Sequence, residues 1–255
     1  MKRMHFSIDD FFETLIDADQ YDNLWEQPVF ARMKELHEKY GATFSCYCFY
    51  EVGEQTLEDV SDYHWHEFVM NQDWLKFGFH GRNKDTAYGP SKFPAEHVHD
   101  TYEQAAEDYE DVMDQLRTIM SEDCIDHMPR VHFYAGSWEA CRAWRDAKYG
   151  IKGLLSAEDD RISYYFMPVE AQVLGLQDCL HDTRLNLKFH RTKYRLENTP
   201  DIVTAIKNET CDELIIFTHE VHLSKESIWQ QFEDCCKYAE ENGIRFGFPE
   251  EWEEA

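Results

Sequence analysis

Basic residues are scarce in this chain: 25 lysines and arginines stand against 51 aspartates and glutamates, a formal net charge of −26. A surface of that sign repels phosphate backbones and anionic lipid headgroups, so neither nucleic acid nor a membrane surface is an expected partner. Long apolar runs are also missing, and no window approaches the ~18 residues of a membrane span. No Gly/Ser linker or low-complexity tract divides the 255 residues, so one domain over 1–255 is expected. No targeting segment is visible, because Ser7-Ile8-Asp9-Asp10 interrupts any apolar stretch near the start. The eight cysteines lack the C-x-x-C spacing of zinc knuckles and redox pairs, as Cys46-x-Cys48 and Cys235-Cys236 show. They read as small core residues in a reducing compartment, and the cytoplasm is the expected location.

What is present is enough to fold. The hydrophobic share is 43% and the aromatic share 15%, the composition of a globule with a sizeable core. Short apolar runs alternate with helix-periodic stretches, the pattern of βα units around a parallel sheet. Strands are predicted at 4–8, 43–50, 75–79, 131–134, 152–156, 214–218 and 244–248. Helices are predicted at 29–40, 57–71, 95–120, 137–150, 200–208 and 224–242. The stretch 161–196 breaks the rhythm and is expected to be an insertion. About seven βα units result, which predicts an α/β barrel.

Chemistry in such folds sits at the carboxyl ends of the strands. The first run ends in Asp9-Asp10 and the third in His80. The fourth carries His132 within Arg130-Val131-His132-Phe133-Tyr134. The fifth leads into Glu158-Asp159-Asp160, and the sixth ends in His219-Glu220 with His222 beyond. Taken singly these have plainer readings: an Asp after a strand can cap a helix, and a lone His can be a bonded core residue. Taken together they describe one polar site. Carboxylates and imidazoles suit a borderline divalent ion, zinc first, with cobalt or nickel as alternatives. Such an ion with open positions points to hydrolysis.

These residues resemble the NodB-type polysaccharide deacetylase family. Ser7-Ile8-Asp9-Asp10 resembles its Thr-Phe-Asp-Asp opening motif, which implies Asp9 as catalytic base and Asp10 as metal ligand. Gly78-Phe79-His80 falls where the family's His-x-x-x-His supplies two ligands, so His80 would be the first. Lys84 stands where the second would be. Either another residue completes the set, His132 being the first choice, or the metal is held weakly, or activity is lost. Arg130 to Tyr134 resembles the family's groove motif, which implies substrate contact by Arg130 and Tyr134. Ile215-Ile216-Phe217-Thr218-His219-Glu220 resembles its closing motif, with His219 as general acid. Asp159 is the preferred partner of that histidine, ahead of Glu220, and a further substrate contact. The family's distorted (β/α)7 barrel agrees with the strand count. The resemblance implies removal of an acyl group from an acylated small-molecule or oligosaccharide substrate. Two other functions stay open: a catalytically silent carbohydrate-binding protein, and a glycoside hydrolase using two of Asp9, Asp10, Glu158 and Asp159.

Overall fold

The computed structural model describes residues 2–159 and 161–252. Its elements run β1 (Arg3–Phe11), α1 (Glu13–Ala18), α2 (Pro28–Tyr40), β2 (Phe44–Phe49), α3 (Trp65–Val69), β3 (Leu75–Gly81), α4 (Tyr102–Met120) and α5 (Trp138–Asp146). They continue as β4 (Gly153–Ser156), α6 (Pro168–Leu176), β5 (Cys179–Asp182), β6 (Leu187–Arg195), α7 (Ile202–Asn208), β7 (Glu213–His219), α8 (Glu226–Asn242) and β8 (Arg245–Phe246). Local chemistry sets several boundaries. The Gln27 side chain accepts the Val29 and Phe30 amides to start α2, and Gly41 at φ 74° stops it. Thr101 caps α4, so the helix predicted from 95 begins only at Tyr102. The helix predicted at 57–71 is reduced to two short pieces, Leu57–Asp59 and Trp65–Val69.

Six strands lie side by side in the order β3-β2-β1-β7-β6-β4, every neighbouring pair parallel. Residues 125–130 join the two ends of this row. Ile125 bridges Phe77 in parallel, the Asp126 amide donates to the Phe77 carbonyl, and the Lys152 and Leu155 amides donate to the His127 and Pro129 carbonyls. The ring is therefore closed by seven staves, one of them irregular, and the fold is a distorted (β/α)7 barrel, as expected. Pro129 has no amide to donate, which keeps this stave from forming a full ladder. Gly153 lets it pack close, since a Cβ there would meet the Lys188 carbonyl at 2.1 Å and Met128 Sδ at 2.5 Å.

Three strand assignments change. The predicted strand 131–134 is a tight turn with Phe133 and Tyr134 at positive φ, and the stave lies just before it. The predicted strand 244–248 shrinks to β8, which pairs with β1 off the main row. The supposed insertion at 161–196 contains β6, a full member of the ring; its sequence Leu-Lys-Phe-His-Arg-Thr-Lys-Tyr-Arg alternates, unlike the continuous apolar run expected of a buried parallel strand. Alternation is tolerated because the ring interior is polar on this side. His190 and Thr192 find partners there in Glu213 and Arg130.

β1 shows the two faces. Phe6 packs outward on Phe44 and on Phe232 of α8, in the main core between ring and helices. Ser7 and Asp9 face inward and share the Arg130 guanidinium. Among the described residues no helix is long and apolar enough to cross a membrane.

Candidate metal centre

Neighbouring residues on a regular strand face opposite ways, so Asp9 and Asp10 should not share a site. β1 solves this with a bulge. Between the partners Ile8/Cys46 and Phe11/Cys48, β1 spends three steps where β2 spends two. Asp10 sits in that bulge at φ 59°, a left-handed conformation that Asp tolerates better than most residues. The turn brings its carboxylate to the barrel mouth beside the ends of β3 and of the irregular stave.

Three side chains meet there. Asp10 Oδ1 lies 3.0 Å from His80 Nε2 and 3.5 Å from His132 Nδ1, and the two imidazole nitrogens are 3.2 Å apart. Each ring is tied on its far side. His80 Nδ1 donates to the Arg130 carbonyl at 2.6 Å, and His132 Nε2 donates to the Lys84 carbonyl at 3.1 Å. A carbonyl only accepts, so the far nitrogens carry the hydrogens and the near ones present lone pairs. Three lone-pair donors then face one another, an arrangement that repels unless something positive sits between them. A proton is disfavoured on His132, whose basicity burial lowers despite the Asp10 carboxylate. The donor separations match those of ligands around one ion at bond lengths of about 2.0–2.2 Å. The residues fit a divalent cation, and the backbone ties are the orienting contacts that metal-binding histidines commonly have. Lys84 contributes its carbonyl as one of those ties.

Two pairs flank the cluster. Asp9 Oδ1 accepts from Arg130 Nη1 at 2.7 Å, and both side chains are almost fully buried. Arg130 also donates to Ser7 and Thr192 and lies over the Phe217 ring. On the other side His219 Nδ1 donates to Glu197 Oε1 at 2.5 Å, and Thr218 holds the second oxygen of Glu197. Burial opposes the His219 charge, yet Glu197, Asp9 and Asp10 together raise its pKa above the ordinary value.

The predicted partner of His219 is thus corrected. Asp159 is bound through both oxygens by Arg161 and lines a neighbouring hollow of about 620 Å³. Glu220 accepts the Phe12, Glu13 and Thr14 amides at the start of α1. Asp160 lies outside the described residues. Asp9, His80, Arg130, His132, Tyr134 and His219 all border one cleft of about 210 Å³. Within it Tyr134 Oη donates to Glu158, which also pairs with Arg195. Glu197 is the residue that sequence reasoning missed. It lies two residues past the end of β6, so recognising that strand would have placed it near a strand end like the others.

Fold and site define an α/β barrel with a carboxylate–bis-imidazole cluster at its carboxyl-end mouth. No family model matches the chain, and no curated protein does. Among solved structures, one from Bordetella bronchiseptica described as a "putative polysaccharide deacetylase involved in o-antigen biosynthesis" aligns with 92% of this chain and 78% of its own. Identity is 11% and the TM-score 0.41, too distant to bear on the chemistry of this site.

Proposed function

We propose that this protein is a divalent-metal hydrolase that removes an acyl group from an acylated carbohydrate. The observation that carries the reading is the cluster of Asp10, His80 and His132, with outer nitrogens fixed on carbonyls and inner lone pairs converging at 3.0–3.5 Å. Zinc suits that donor set best, with cobalt or nickel next. When bound there, a divalent ion supplies Lewis acidity toward an acyl oxygen and acidifies water.

The protein's own groups supply the proton transfers. Asp9 is held in place by Arg130 and serves as base toward water at the mouth. His219 is kept protonated by Glu197 and donates to the departing amine or alkoxide. Tyr134 borders the cleft where the sugar would lie. The order of residues also resembles the deacetylase motifs in Ser7–Asp10, His80 and Ile215–His219. A two-carboxylate glycosidase is less well served, because Arg161 engages both oxygens of Asp159 and Asp10 converges with two imidazoles.

The test is metal content and hydrolysis together. Purified protein should hold about one equivalent of zinc, cobalt or nickel and release acetate from at least one member of a panel of N- and O-acetylated sugars. Chelation should abolish the release, and Asp9→Asn and His219→Ala should each lower kcat/KM by roughly 10²–10⁴-fold with metal retained. A metal-loaded wild type inert on every member would remove support for the reading.

A further inference from the structure

The end of the barrel opposite the metal cluster carries a second group of reactive side chains. Cys179 opens β5 and stands directly across from His190 of β6 in an antiparallel pair. Its thiol donates to His190 Nε2 at 3.7 Å. His190 Nδ1 donates in turn to Glu213 Oε2 at 2.7 Å. Glu213 begins β7 and His219 ends it, so six strand steps, roughly 20 Å, separate this group from the mouth. The imidazole is fixed. His190 is 1% exposed, Glu213 settles its tautomer, and the Trp252 ring stands edge-on at 6.0 Å. In the neutral ring the nitrogen facing sulfur is therefore the one without a hydrogen. Cys179 itself is only half-buried. Nucleophile, base and orienting carboxylate in hydrogen-bonded series form the arrangement that activates a thiol.

The other cysteines set the contrast. Cys46, Cys48, Cys124, Cys141, Cys235 and Cys236 are buried, as the sequence predicted for all eight. Cys211 is half-buried like Cys179, but burial and the neighbouring Asp178 carboxylate outweigh the Lys193 ammonium and push its thiol pKa up. Two thiols of similar exposure thus differ in what they meet, Cys179 an imidazole nitrogen and Cys211 a carboxylate together with an ammonium.

We propose that Cys179, His190 and Glu213 form a second reactive site, a base-assisted thiol that reduces hydroperoxides and is itself oxidised to a sulfenic acid. The Cys179 proton passes to His190 Nε2, and the thiolate attacks the terminal oxygen of the hydroperoxide. The S–O bond forms as the O–O bond breaks, sulfur losing two electrons and the peroxide gaining them. The departing alkoxide or hydroxide takes the proton back from His190 and leaves as alcohol or water. Glu213 touches no reactant and is a positioning residue.

The experiment treats reduced full-length protein with hydrogen peroxide, traps sulfenic acid with dimedone, and maps the adducts by peptide mass. Cys179 should be labelled at least about tenfold faster than Cys211 and than the same thiol in urea-unfolded chain. His190→Gln should slow Cys179 by about tenfold or more, and Glu213→Gln should slow it less. Mere loosening of the fold has the opposite signature, faster labelling of both thiols. Added imidazole should restore part of the rate in His190→Ala. Should the His190 variants fail to fold, the wild-type ratios and Glu213→Gln still decide. Equal labelling of Cys179 and Cys211, or a Cys179 rate unchanged by every substitution, overturns the proposal.

Discussion

The most informative single residue is His132, because its imidazole, and not the Lys84 side chain, converges with Asp10 and His80 in a group that could hold an ion. His132→Ala should weaken zinc binding by more than about tenfold, the scale at which even outer contacts of a metal site act. Lys84→Ala should leave affinity nearly unchanged, since only the Lys84 carbonyl is used. Equilibrium competition with a chromogenic chelator measures both, and loss in the lysine variant alone would reverse the assignment. Glu197 permits a signed pH expectation. It raises the His219 pKa, so Glu197→Gln should let that pKa fall and move the basic limb of kcat/KM to lower pH, leaving the acidic limb in place. An unmoved basic limb would dissociate Glu197 from the proton donor. Sequence made five of these residues legible, Asp9, Asp10, His80, His132 and His219, because each sits at or just after an apolar run. Glu197 was hidden because its strand alternates apolar with basic residues, and Asp159 attracted attention only through its neighbours in sequence.

Among elements, β1 and the irregular stave depart furthest from what their residues announce. The run 4–8 identified β1, but nothing in an Asp-Asp pair reveals that the second sits at φ 59°. That strain is measurable. Asp10→Asn should fold with stability near wild type, because Asn tolerates the left-handed region. Asp10→Val should lose about 1–2 kcal/mol more in urea unfolding. Equal stability of the two would mean that the bulge relaxes. The stave at 125–130 escaped detection because Asp126, His127 and Pro129 break any apolar signal. Buried Asp126 takes the place of ladder bonds, accepting from Ser45, Tyr47 and the Met128 amide. Across this stave Glu250 reaches both flanking strands, with Lys76 at 2.8 Å and Lys152 at 3.4 Å. Burial raises the Glu250 pKa, but Lys76 outweighs it and the net shift is downward. Its contribution is therefore present above the ordinary value of 4.5 and lost as pH falls through the lower folded value. Glu250→Gln should cost about 1.5–3 kcal/mol near pH 7, the scale for a hydrogen bond between charged groups, and the gap from wild type should narrow as pH falls below 4.5. Urea titrations at pH 7 and pH 3.5 check this.

At the scale of the whole molecule, a net charge of −26 opposes compaction. Raising sodium chloride from about 10 mM to 0.5 M shortens the screening length several-fold and should raise Tm; a flat or falling Tm would mean that local ion pairs outweigh the global repulsion. The barrel itself has one weak joint. Six neighbouring strands are zipped by ladders, whereas the seventh stave is held by a few amides, a buried Asp and the Glu250 clasp. That stave runs straight into His132. Any opening of the seam carries His132 away from Asp10 and His80, so dissociation of a bound ion and breathing of the ring become one motion. An ion that binds only the closed form holds the ring shut by mass action. Hydrogen exchange in residues 125–131 should then slow on adding zinc, while exchange in β1 and β7 barely changes. Chelation would leave a hoop with an unlatched stave, and proteases would cut it there first.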